Sequence, residues 1–273
     1  MKLLLGREDV NPNTTDTKGF TPLALAAQEG HEGVVKLLLG REDVSPNTAD
    51  TKHGLTPLAW AANCGYEGVV KLLLERRDIN PNPTDTESGR TPLLWAAKCG
   101  HQGVVKLLLE RDDIDPSAAD TRYSRTPLLF AAKNGNDGVV KLLLEREDIN
   151  PNTEETKYGA TPLLLAAEHG HEGVAKLLLE HDDVNPDILD LNGKTALQLA
   201  VSGGHTSVVG LLSAPKPLFM SQQISMKSLN TPHSIHPAYL TASVGLPRLF
   251  PFPRPRPFSR MLDPSLEQKS APS

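Results

Sequence analysis

The residues Asp-Ile-Asn-Pro-Asn occupy positions 78–82 and recur letter for letter at 148–152. Asp-x-Asn-x-Asn opens some calcium loops, in which alternate side chains aim oxygens at one ion. Such a loop also needs Gly at its sixth position and a bidentate Glu at its twelfth. Counting from Asp148, those positions hold Thr153 and Gly159; counting from Asp183, they hold Ile188 and Lys194. Proline stands fourth in every related copy: DVNPN at 9–13, DVSPN at 43–47, DIDPS at 113–117 and DVNPD at 183–187. A fixed turn accounts for the pattern, and no metal ligand or cofactor is assigned to it.

Other chemically suggestive residues reduce in the same way. Cys64 and Cys99 hold equivalent places 35 residues apart, and Asn134 and His169 continue their column. Packed helices lie about 8–10 Å apart, whereas a disulfide needs Cα atoms within about 7 Å and zinc needs ligands about 2 Å from one centre. The spacing suits neither. His31, His101, His171 and His205 each follow a glycine, which places them in turns. The sequence contains no HExxH, no complete GxxxxGK[ST] phosphate loop (Ile188 stands where its first glycine would precede Gly193-Lys194-Thr195) and no GxSxG. Asn13-Thr14-Thr15 fits a glycosylation acceptor but has no secretory signal beside it. No catalytic constellation emerges, and the chain is read as non-enzymatic.

The elements carrying these residues repeat. Thr-Pro-Leu begins at 21, 56, 91, 126 and 161, and Thr-Ala-Leu at 195. GVVKLLL fills 33–39, 68–74, 103–109 and 138–144, with GVAKLLL at 173–179. A period in this range marks stacked repeats. Thr at an N-cap followed by Pro at the first helical position starts a helix over 23–29 that stops at Gly30. A second helix from about His31 presents Val34, Val35, Leu37, Leu38 and Leu39. Asn-Pro-Asn and a polar stretch ending near Gly follow as turns. Neither helix buries its face alone, so neighbours must stack.

GFTPLALAAQEGHEGVVKLLL, residues 19–39, resembles the ankyrin repeat, whose pattern includes T-P-L-H-x-A and G-H before the second helix. The resemblance covers residues 1 to about 214 through five full units, a partial sixth and a leading fragment. The EDVNPN and DTKYG flavour is similar to long ankyrin arrays of filamentous fungi. The resemblance implies an all-α ankyrin-repeat solenoid of helix-turn-helix units joined by extended or hairpin loops. It also implies a protein–protein interaction scaffold that binds through a concave surface of loop tips and first helices. Two departures stand out. The His after T-P-L is replaced by Ala24, Ala59, Leu94, Leu129, Leu164 and Gln198, which removes its hydrogen-bond role. The period exceeds the family's by two residues, placed in the Asn-Pro-Asn loop.

Three regions are expected: a partial repeat over 1–18, about six repeats over 19–214, and a Pro-rich basic disordered tail over 215–273. Residues 1–214 carry 21 Lys+Arg against 31 Asp+Glu, and residues 215–273 carry 7 against 2. The tail's 11 prolines and lack of helical periodicity exclude a packed core. Its Arg248, Arg254, Arg256 and Arg260, interleaved with phenylalanines, raise nucleic-acid or anionic-membrane binding as the alternative function. Four charges are few for that role. Recruitment of substrates within a larger protein is a further alternative. Nothing resembles a signal peptide or a membrane span, and two cysteines suit a reducing compartment. The expected location is cytoplasmic or nuclear, not secreted.

Read in register, the variable columns gather Trp60, Arg90, Trp95, Lys98, Tyr123, Arg125, Phe130 and Lys133 in the middle repeats of an acidic body. Trp, Tyr and Arg are enriched at interface hot spots. These eight are the candidate partner-binding residues, for an acidic peptide or loop with an apolar anchor rather than a small molecule. A core role for Trp60, Trp95 and Phe130 fits the always-apolar column equally well. At the ends, Leu3, Leu4 and Leu5 would face an incomplete neighbour, which predicts a longer array or an end that frays or self-associates. TSVVGLLSAP at 206–215 reads as a cap.

Overall fold

The structure, a computed structural model, describes residues 11–214. The expected tail over 215–273, and Leu3 to Leu5 with the helix predicted around them, lie outside the described residues. Within 11–214 the chain forms twelve α-helices and no strand. They pair as α1 (Pro22–Gln28) with α2 (Glu32–Leu39), α3 (Pro57–Cys64) with α4 (Glu67–Leu74), and α5 (Pro92–Cys99) with α6 (Gln102–Leu109). Then come α7 (Pro127–Asn134) with α8 (Asp137–Leu144), α9 (Pro162–His169) with α10 (Glu172–Glu180), and α11 (Ala196–Gly203) with α12 (Thr206–Ser213). Odd-numbered helices stack on one another as a first row, and even-numbered helices as a second.

The T-P-L signal works as local chemistry predicts. The hydroxyls of Thr21, Thr56, Thr91, Thr126, Thr161 and Thr195 each accept the N–H three residues on, at 3.1 Å to 3.4 Å. That bond satisfies one of the donors left orphaned at a helix start. In the sixth repeat the exchange is reciprocal, since the Thr195 N–H donates to Gln198 Oε1 at 2.9 Å. The hydrogen-bond role expected to be lost at Gln198 therefore survives there, because its amide reaches back as histidine would. The first-row helices α3, α5, α7, α9 and α11 end at a left-handed glycine. At Gly65, φ is +80°, and an added Cβ would sit 2.5 Å from His101 Nδ1. Conformation and crowding both demand glycine there.

The histidines after these glycines do not cap their own helices. Each instead reaches the end of the preceding first-row helix. His101 Nε2 lies 3.0 Å from the Asn63 carbonyl, His171 Nε2 2.9 Å from Lys133 O, and His205 Nε2 3.0 Å from Glu168 O. A carbonyl only accepts, so the proton sits on Nε2. Asn136 does the same work in the fourth repeat, its amide donating to Ala97 O at 2.9 Å.

The core is aliphatic. Leu23, Leu58, Leu93, Leu128 and Leu163 of T-P-L are fully buried, as are Ala27, Ala62, Ala97, Ala132 and Ala167 one turn on. Alanine at that position lets first-row helices approach closely. Leu38, Leu73, Leu108, Leu143 and Leu178 seal the second row. Burying one such leucine contributes about 1.5–3 kcal/mol.

The Asn-Pro-Asn turns join repeat to repeat. Asn47 Nδ2 donates to Asp78 O at 2.7 Å, and its Oδ1 accepts the Asn80 N–H at 2.8 Å. Asn13, Asn82 and Asn152 make the same two-way bridge to the turns at 43–45, 113–115 and 183–185. Ser117 stands in this column, and no such bridge runs from it to the turn at 148–152. The carboxylates of these turns are engaged too. Asp78 receives Arg76 at 2.8 Å and Asp148 receives Arg146 at 2.7 Å. The same arginines donate to the last carbonyls of the preceding second-row helix, Leu39 at 3.1 Å and Leu109 at 3.4 Å. The oxygens of the DINPN motif are thus engaged, the Asp and first Asn side chains within their own turn and the last Asn across to the next repeat.

Candidate interaction surface

Seven of the eight candidate residues lie around a column of acids that the sequence reading passed over, while Lys133 is fixed only through its carbonyl, near His171 Nε2. Asp50, Asp85, Asp120 and Glu155 open the loop before each first-row helix and are all buried. One carboxylate oxygen of each accepts backbone N–H groups of its own loop. Asp50 Oδ1 takes Lys52 and His53, Asp85 Oδ1 takes Glu87 and Ser88, Asp120 Oδ1 takes Tyr123 and Arg125, and Glu155 Oε1 takes Tyr158. The second oxygen must find a donor of its own, because a buried unpaired carboxylate oxygen costs free energy.

Besides the Leu55 N–H that Asp50 Oδ2 accepts at 3.0 Å, two side-chain solutions follow one another along the stack. Trp60 Nε1 donates to Asp50 Oδ2, and Trp95 Nε1 to Asp85 Oδ2, each at 3.1 Å. The fourth and fifth repeats carry Phe130 and Leu165 in that column, which have nothing to donate. There an arginine from the preceding repeat takes over. Arg125 gives Glu155 Oε2 two bonds, 3.2 Å from Nε and 3.0 Å from Nη2. Arg90 holds the same position relative to Asp120 but stops with Nη2 3.8 Å from Oδ2. Aspartate is one methylene shorter than glutamate, which accounts for the gap. Arg90 Nε and Asp120 Oδ2 are both buried without a hydrogen bond.

Arg90 is nonetheless tightly held. Its guanidinium lies 4.9 Å from the Trp95 ring centroid and 5.1 Å from that of Phe130. Lys98 Nζ sits 4.6 Å from the Trp95 ring. Burial pushes the Lys98 ammonium below its ordinary pKa, and the neighbouring Arg90 charge pushes it further. No salt bridge or hydrogen bond reaches the Lys98 ammonium among the described residues; its carbonyl accepts the Asn134 amide at 2.7 Å. Around Tyr123, Arg125 approaches to 4.8 Å of the ring, and Arg122 and Lys157 each to 5.4 Å.

The structure therefore brings the candidates together but gives them different surroundings. Trp60, Arg125 and Phe130 are buried, whereas Arg90, Trp95, Lys98, Tyr123 and Lys133 remain partly exposed. Trp60 also packs 5.6 Å from Phe20. The acids were legible as a column at 16, 50, 85, 120, 155 and 190, next to the Thr and Gly of each loop. They were missed because they read as ordinary turn residues. The two cysteines are free. Cys64 packs half-buried against the Phe20–Trp60 cluster, and Cys99 Sγ lies 3.6 Å from Asn63 Oδ1. Burial pushes both thiols above their ordinary pKa, which lowers their nucleophilic fraction at neutral pH.

Comparison with known families agrees with this architecture. The family described as Ankyrin repeats (3 copies) matches over residues 1–85, 77–155 and 147–219. The chain belongs to the ankyrin repeat proteins. No curated protein matches it. Ankyrin repeats are generally protein–protein interaction modules and are typically non-enzymatic. Among the described residues, no helix is long and apolar enough to cross a membrane.

Proposed function

We propose that this chain is a protein-interaction module whose third and fourth repeats receive an acidic segment of a partner. Arg90 and Lys98 take its carboxylates, and Trp95 and Tyr123 flank an apolar neighbour. Lys133 extends the basic strip, while Trp60, Arg125 and Phe130 support it from beneath. The observation that carries this reading is Arg90, a guanidinium clamped between two rings with no hydrogen bond of its own. With Nε buried, a partner carboxylate meets Arg90 at the terminal Nη edge of a side chain 15% exposed, beside the Lys98 ammonium. Within an acidic body, such a local basic site discriminates by charge.

The test uses a fluorescein-labelled peptide of repeated Glu-Glu-Leu and its Gln-Gln-Leu counterpart, with anisotropy as the readout. The Glu peptide is expected to bind at least about tenfold more tightly than the Gln peptide, a difference of about 1.4 kcal/mol. Arg90→Ala with Lys98→Ala should abolish the preference while circular dichroism stays unchanged. Equal binding of the two peptides, or a preference that survives the double substitution, overturns the proposal.

A further inference from the structure

The loop tips of the fourth and fifth repeats differ from the rest. In the other four repeats, the residue two places after the loop acid donates its backbone N–H to that acid: Lys18, Lys52, Glu87 and Asn192. Arg122 and Lys157 hold the same place, and their N–H groups make no hydrogen bond among the described residues. The acids there are taken up further along, Asp120 Oδ1 by the Tyr123 and Arg125 N–H groups and Glu155 Oε1 by that of Tyr158. Two exposed residues thus offer a cation and a free backbone donor at neighbouring tips.

Their side chains converge. Both charged heads lie 5.4 Å from the Tyr123 ring centroid, and Lys157 Nζ is also 4.4 Å from that of Tyr158. Arg125, the third cation at Tyr123, is already bonded to Glu155, whereas no ion pair reaches Arg122 or Lys157 among the described residues. Two like charges against one ring repel, and a bound anion would relieve them. The ring contacts hold both heads in place beforehand, which reduces the entropy lost on binding. Ser124, exposed between Arg122 and Arg125 where other repeats have glycine, adds a hydroxyl without a hydrogen bond of its own.

We propose that these two tips take a phosphomonoester carried by the partner's acidic segment, held by the Arg122 guanidinium and the Lys157 ammonium. The inference rests on the acidic-segment reading and adds what that segment carries. A phosphoserine or phosphothreonine brings a charge of about −1.5 to −2 and three acceptor oxygens, which matches two cations and the donors beside them. A carboxylate neutralises only one of the two. The guanidinium meets two phosphate oxygens side by side, and the ammonium acts as a point charge. Nucleic acid repeats its charge along a strand, whereas the basic column here is confined to two tips, with Glu87 one repeat before and Asn192 one repeat after.

The test measures anisotropy of the full chain with labelled Glu-Glu-Leu repeat peptides in which one central Glu is kept, replaced by Ser or replaced by phosphoserine. The phosphoserine peptide is expected to bind at least about tenfold more tightly than the Ser peptide, and more tightly than the all-Glu peptide. That gain should shrink below about pH 6, where the phosphate takes up its second proton. Arg122→Gln with Lys157→Gln, both at exposed positions, should remove the gain while the Ser peptide binds as before and circular dichroism stays unchanged. Equal binding of the Glu and phosphoserine peptides, or a gain that survives the double substitution, overturns the inference. An oligothymidylate that binds more tightly than the phosphopeptide, and loses that binding in the same double variant, assigns the cluster to nucleic acid and also overturns it. A preference for Glu over Gln peptides without a phosphate gain defeats this inference alone; loss of the Glu preference defeats the acidic-segment reading beneath it.

Discussion

Asp120 and Glu155 differ by one methylene, and that carbon separates an arginine that hydrogen-bonds its acid from one that stops at ion-pair distance. Arg125 makes two bonds to Glu155, while Arg90 stops at 3.8 Å from Asp120. Asp120→Glu should close the gap, because Glu155 already accepts its loop's Tyr158 N–H at 2.7 Å while reaching its arginine. Satisfying a buried donor and acceptor should raise stability by about 1–2 kcal/mol, read as a higher urea midpoint with an unchanged slope. The same substitution should weaken binding of the Glu-Glu-Leu peptide, since Arg90 is then occupied. A stability gain without that loss would separate the buried pair from recognition. A single-residue difference of this kind cannot be read from a column of turn acids until the partner across 30 residues is known.

At the scale of the element, loop and helix are fastened through carboxylates. Trp60 Nε1 to Asp50 Oδ2 ties the loop tip to α3 across ten residues. Burial by itself would raise the Asp50 carboxyl, but the N–H groups of His53, Leu55, Trp60 and Lys52 outweigh it and hold the pKa below the ordinary value of 3.8. A carboxylate depressed in the folded state contributes stability above its unfolded pKa, and that contribution disappears as pH falls through the folded value. Trp60→Phe removes one of the donors. It should cost about 1 kcal/mol at neutral pH, because the Leu55 N–H still serves the same oxygen, and make the loss of stability on acidification less steep than in wild type. Urea midpoints measured as pH falls would show it; parallel curves would mean the indole bond does not set the Asp50 titration. Helices, caps and turns were legible in the sequence because each is local: Thr-Pro, the closing Gly and Asn-Pro act within a few residues. The buried roles of Trp60 and Arg125 were not, because their partners lie on a different element. The aromatic column therefore left core and surface undecided until burial separated Trp60 and Phe130 from Trp95.

Over the whole domain, stability is expected to be a sum of repeats and junctions, so an irregular junction matters more than its few atoms. The one between the third and fourth repeats collects several irregularities. Ser117 interrupts the asparagine bridges, the Arg90–Asp120 pair is open, and Ser124 adopts φ of 54° where the other repeats have glycine. A non-glycine residue held there costs of order 1 kcal/mol. Ser117→Asn should restore the bridge to Asp148 O and the Asn150 N–H and add about 1 kcal/mol. Hydrogen exchange should show slower opening at that junction first, and an unchanged exchange pattern would mean the bridges do not couple repeats. These irregularities sit in the repeats that carry the candidate surface.

The asparagine bridges also give the domain a mechanical character. Force applied along the stack is carried by small sets of bonds arranged in series, so the weakest set bears the same load as the strongest. Among the turns described from 11–13 to 183–187, the bridge is absent between 113–117 and 148–152, which makes that junction a built-in fuse within the bridged run. Under tension the domain should part there into a three-repeat piece on each side, each keeping its own helices, before any helix is unwound.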